Sequence, residues 1–98
     1  MKIKTIFTVT VIEGLDLRSE KRCMGYYNKF KDANNVVINN MTDINETMYD
    51  YAVIEEFVEG LYPDTKSIHY YKFNESSEKY EEIERPKEWN QICNWGIG

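Results

Sequence analysis

Between Lys2 and Ile12 the residues Ile3, Phe7, Val9 and Val11 share one parity, and Thr8 and Thr10 occupy the other. Side chains of a strand alternate between its two faces, so this run buries one face as a strand and would scatter its apolar groups as a helix. The chain therefore opens with a strand that needs partners. Glu13, Gly14 and Asp16 read as a turn, and Arg22 to Tyr27 as the returning strand of a hairpin. Gly25, inside that second strand, marks a bulge or a place where another group comes close.

Downstream the period changes. Phe30, Ala33, Val36 and Val37 recur at helical spacing, with Asn28 as the expected cap and the Asn39–Asn40 pair as the exit, since Asn tolerates the left-handed conformation. Thr42 to Asp50 is a polar connection. Tyr51 to Val58 reads as a third strand, apolar enough at Ala52–Ile54 to be central, and Gly60 and Pro63 end it. Lys66–Phe73 and Tyr80–Glu84 form a second hairpin around the polar turn from Asn74 to Lys79. Pro86 suits the first position of a short helix reaching Ile92, and the tail Asn94-Trp95-Gly96-Ile97-Gly98 is too apolar for a free end.

The expected fold is therefore α+β: a single mostly antiparallel five-stranded sheet in the order β-β-α-β-β-β-α, with helices packed on one face. At 98 residues, with 42% hydrophobic and 14% aromatic content, the chain has enough apolar surface for one domain over 1–98 and too much for disorder.

Twelve basic against seventeen acidic residues give a net charge of -5, with no basic run, which argues against long nucleic acid as a partner. Lys2 and Lys4 precede an apolar stretch, but threonines interrupt it and no small-residue cleavage site follows, so a cytoplasmic protein without a membrane partner is expected. Cys23 and Cys93 belong to no CxxC pair and are expected to be two buried thiols.

Catalytic sets are sparse. His69 is the only histidine, placed mid-strand with no serine or cysteine elbow beside it, and is expected to be structural. Glu55 and Glu56 point to opposite faces, as do Glu81 and Glu82, so neither adjacent pair is an acid/base dyad. A calcium-loop reading from Asp43 fails at Met48 and Ile54, where glycine and a closing carboxylate are required, and phosphate-loop motifs are missing. No enzyme, cofactor or metal is expected.

Eight Tyr, four Phe and two Trp exceed what one small core of this size can hold. Tyrosine and tryptophan favour places that are dry at one end and hydrogen-bonded at the other, which means a self-association interface or a pocket that stacks a flat ligand. On the fourth strand His69, Tyr71 and Phe73 share one face and Ile68, Tyr70 and Lys72 the other, so one is expected to be core and the other open. Arg18, Arg22 and Arg85 lie near strand ends, where an arginine pair can grip phosphates.

The pattern from Gly25-Tyr26-Tyr27 through the helix to Tyr51-Ala52-Val53-Ile54-Glu55-Glu56, Gly60-Leu61-Tyr62-Pro63 and the closing Asn94-Trp95-Gly96 resembles small proteins of phages and prophages of Firmicutes. Among these, size and element order are similar to the first family of Thoeris anti-defence proteins, oligomeric sponges for cyclic ADP-ribose-type signals. The resemblance implies a pocket that stacks adenine on an aromatic ring, holds its edge with an asparagine and binds phosphates with arginines. Phe73, Asn74, Arg22 and Arg85 are the candidates for those roles, and the full expected ligand-binding set is Arg22, Tyr71, Phe73, Asn74, Arg85, Asn94 and Trp95. The leading expectation is a non-enzymatic, homo-oligomeric anti-defence protein that sequesters a small nucleotide signal in the host cytoplasm. The alternative is an anti-CRISPR-like inhibitor that binds a host defence protein.

Overall fold

The computed structural model describes residues 5–15, 20–41, 49–58 and 65–89. In order they form β1 (Thr5–Ile12), β2 (Lys21–Tyr27), α1 (Phe30–Ile38), β3 (Tyr51–Val58), β4 (Thr65–Asn74), β5 (Lys79–Ile83) and a 3-10 turn at Lys87–Trp89. The strands make one antiparallel sheet in the order β2-β1-β3-β4-β5, so the α+β architecture expected from the sequence is present.

The hairpin β1–β2 contains the bulge anticipated at Gly25. Val9 pairs with Gly25 and Thr10 with Cys23, which leaves Met24 as the extra residue. Gly25 has φ 156°, a backbone conformation that side chains disfavour, although a Cβ there would meet no atom within 4 Å. Glycine is therefore needed for the backbone and not for space.

Strand β1 also pairs along its whole length with β3, from Thr5↔Val58 to Ile12↔Tyr51. The period-two pattern of β1 is set against a strand that is buried throughout except at Glu56 and Val58, as its near-continuous apolar run anticipates.

Helix α1 begins one residue later than its cap signal. Lys29 takes the extended N-cap conformation and makes no side-chain cap bond, so Asn28 does not cap. The backbone N–H groups of Asp32 and Ala33 both donate to the Lys29 carbonyl, and Asp32 places a carboxylate in the first turn, where the helix dipole favours it. At the other end Asn40 adopts φ 47°, the left-handed exit anticipated for the asparagine pair. Asn39 secures that exit by donating its amide to the Asn35 carbonyl at 3.0 Å and to Asn35 Oδ1 at 2.8 Å.

The aromatic surplus has a structural answer: the sheet carries a core on each face. Under α1, Val9, Val11, Ala52, Ile54, Tyr71 and Tyr80 pack with Ala33, Val37 and Tyr49, and Phe7, Tyr27, Phe30, Ile38 and Phe73 lie against them. On the opposite face Ile12, Tyr51, Val53 and Tyr70 pack with Trp89, flanked by Leu15, Ile68 and Ile83. The final helix expected from Pro86 to Ile92 is, within the described residues, only the 3-10 turn, and it lies on this opposite face. The reason is Trp89, which meets Tyr51 edge-on at 5.3 Å and Tyr70 at 6.0 Å and donates its indole N–H to the Leu15 carbonyl at 3.2 Å.

The opposite face also buries polar groups. Thr8, Thr10 and Glu55 are buried there, and Thr8 Oγ1, Thr10 Oγ1 and Tyr70 OH have no hydrogen-bond partner among the described residues. Cys23, expected to be a buried thiol, is exposed, because β2 is an edge strand. Cys93 lies outside the described residues. Among the described residues no helix is long and apolar enough to cross a membrane.

Candidate functional site

The β4–β5 hairpin is pinned by Asn74. Its Oδ1 accepts from the Ser76 N–H at 2.9 Å, its carbonyl accepts from the Glu78 N–H at 2.8 Å, and its amide donates to Glu81 Oε2 at 3.0 Å. This is the local chemistry that makes asparagine a turn residue, and Glu78 closes the turn with φ 57°. On the other side the Phe73 N–H donates to the Asp50 carbonyl at 2.8 Å, which ties the approach to β3 against the end of β4.

Between these fixed points lies an open hollow of about 480 Å³, lined by Asp50, Lys72, Phe73, Asn74, Glu75, Glu81 and Ile83. Its volume is within the range of small-molecule sites. Three carboxylates and one ammonium group line it, so its field favours the neutral or amino-bearing part of a ligand over a bare phosphate. Lys72 is its cation, held 6.0 Å above the Tyr51 ring.

Phe73 and Asn74 are thus the two expected ligand-binding residues that the fold brings to one place. Phe73 is half-buried, its ring edge-on to Tyr80 at 5.2 Å. Arg85 is exposed two residues beyond Ile83, within roughly 7 Å of chain from the hollow. Arg22 is exposed on β2, the far edge of the sheet, three to four inter-strand steps or about 14–19 Å from the hollow. One copy therefore does not bring Arg22 and Arg85 to the same phosphate. Asn94 and Trp95, like Arg18, lie outside the described residues.

Tyr71 is fully buried among the helix-face apolar residues and donates its hydroxyl to Asn34 Oδ1 at 2.7 Å. Burial, reinforced by the negative charge of Glu82, pushes its ionisation far above the ordinary tyrosine range. Neither face of β4 is open at its centre, since Tyr70 is covered by Trp89 as Tyr71 is by α1. The expectation of one core face and one free aromatic face gives way to two core faces, with the accessible site displaced to the end of the strand.

A second polar group lies on the helix face, around the histidine that the sequence marked as structural without naming its partner. His69 Nδ1 lies 3.1 Å from Glu82 Oε2, and its ring rests on Phe30 at 4.5 Å. Ser67 shares that face but donates to Glu56 Oε1 at 3.0 Å, so it is oriented away from a serine–histidine relay. The register His69↔Ile54 and Tyr71↔Glu82 creates the His69–Glu82 neighbourhood, and no local pattern encodes it. Among the described residues no cluster of three or more histidine, cysteine, aspartate or glutamate side chains is arranged to hold a metal ion.

Compared with protein-family models, curated proteins and solved structures, the chain matches none.

Proposed function

We propose that this chain is a non-enzymatic binding protein that captures a small nucleotide-type signal and withholds it, with the hollow at the end of β4 receiving the base. The observation that carries the reading is the meeting of Phe73, Asn74 and Lys72 around one ligand-sized hollow. Phe73 and Ile83 contribute its apolar lining, and the asparagine amide has hydrogen-bonding capacity left after its turn bonds. Lys72, with Arg85 nearby, supplies positive charge for a phosphate held at the rim while the carboxylates face the base's amino groups. This accords with the anti-defence sponge to which the sequence bears a resemblance.

The test is native mass spectrometry of the purified chain with a panel of cyclic and ADP-ribose-derived nucleotides. Support is a retained nucleotide, released unaltered on denaturation and lost in Lys72→Ala. A bare protein across the panel removes the reading.

A second reading rests on the hairpin itself. Glu75, Glu78, Glu81, Glu82 and Glu84 are all exposed on or beside β4–β5, a carboxylate-rich surface suited to a basic patch on a host defence protein. It requires no small ligand, and its binding weakens as salt rises.

A further inference from the structure

Among the described residues strand β2 pairs only with β1, so its outer edge from Arg22 to Tyr27 is available for pairing with another strand. Its burial pattern is exposed at five of seven positions. Met24 and Tyr26, at 38% and 64% exposure, are two of the three exposed large apolar side chains among the described residues, the other being Met41. Apolar surface on an open sheet edge is what a protein normally guards against unless something covers it.

We propose that the β2 edge is a self-pairing surface, on which two copies of this chain meet as antiparallel β2 strands about a two-fold axis between Met24 and Gly25. That register sets Arg22 of each copy against Tyr27 of the other, and Cys23 against Tyr26. The faces agree: Arg22 and Tyr27 pair with Val11 and Phe7 on the helix side of β1, while Cys23 and Tyr26 pair with Thr10 and Thr8 on the other side. The bulge at Met24 does not break the match, because both strands carry it at the axis. The contacts are complementary in kind, a guanidinium on a phenol ring and a thiol on a second ring. The two Arg22 charges are about 16 Å apart along the strands, beyond the screening length in physiological salt.

The alternatives within the sheet are poorer. At the other edge, Glu81 and Glu82 on β5 and Glu84 just past it are exposed, so self-pairing there opposes like charges. Strands β2 and β5 run in the same direction, so joining one to the other is a parallel, open-ended contact, whereas the two-fold arrangement closes. A seven-residue edge reaches less than the roughly 1,200 Å² of a stable interface, so the dimer is weak and reversible.

The experiment is sedimentation velocity across a concentration series, reading the dimer dissociation constant. Met24→Lys places two ammonium groups at the axis and Tyr26→Ala removes a contact ring; each is expected to weaken the dimer at least tenfold. Met41→Lys, at an exposed site elsewhere, leaves it unchanged. In a Cys93→Ser background, where Cys23 is the sole thiol, a bis-maleimide of matching span joins two Cys23 residues about 11 Å apart. A chain that stays monomeric into the millimolar range overturns the proposal. So does an oligomer indifferent to Met24→Lys, whether or not the variants bind nucleotide.

Discussion

The hydroxyl of Tyr71, in the middle of β4, donates to Asn34 Oδ1 on α1 across 2.7 Å, so the helix is fastened to the sheet by a hydrogen bond at the edge of its apolar contact. Tyr71→Phe keeps the ring and removes the bond, at an expected cost of about 1 kcal/mol. Urea unfolding checks this, with the midpoint lowered and the slope unchanged.

The same residue makes an alkaline signature. Its folded-state ionisation is raised above the ordinary value of 10.0, so the folded protein holds a proton that the unfolded chain releases. The stabilisation is fully present below pH about 10 and is lost as pH rises toward the folded value. Wild type is therefore expected to lose stability in strong alkali more steeply than Tyr71→Phe, and denaturant melts at a pH series read the difference.

Thr10 is fully buried on the opposite face and its hydroxyl has no partner among the described residues. Thr10→Val removes that unmet polar group at nearly constant volume, so stability is expected to hold or to rise by about 1 kcal/mol. The melting temperature decides: a clear fall shows that the hydroxyl is satisfied by an ordered water.

Trp89→Ala empties the centre of the opposite-face core and is expected to cost about 3–5 kcal/mol. Trp89→Phe retains much of the packing against Tyr51 and Tyr70 and loses the bond to Leu15, so it falls in between. Thermal melts of the two variants separate the packing from the hydrogen bond.

Asn74→Ala removes the acceptor for Ser76 and the donor to Glu81 together. The expected result is a loss of about 1–2 kcal/mol and a weakened nucleotide complex. Asn74→Asp keeps the acceptor but puts a carboxylate beside Glu81, so it weakens ligand capture further; calorimetric titration with the retained nucleotide ranks the two.

The strands were legible wherever the pattern was local. The parity of Phe7, Val9 and Val11, the apolar run at Ala52–Ile54 and the glycine inside β2 all correspond to what the fold contains. The strand order was not legible, because β1 finds β3 across α1 and nothing near either strand names its partner. The two-sided core was missed for a related reason: Trp89 belongs to the sheet's far face only once the chain has turned over its end. Phe73 and Asn74 entered as candidates through the resemblance, and their adjacency at the end of β4 follows from the chain itself. The charge of their surroundings depends on Asp50 and Glu81, brought there by two different pairings.

The seam between β1 and β3 has a kinetic meaning. The β1–β2 hairpin and the β3–β4–β5 meander are each made of neighbours in sequence and can zip early, but each alone leaves bare the strand edge that the other later covers. Joining 5–12 to 51–58 closes the widest loop in the ladder and shields both bare edges in a single event. On the ribosome the first hairpin therefore waits with an uncovered strand until 58 has emerged, and this interval is when a nascent chain of this kind is most exposed to pairing with the wrong neighbour.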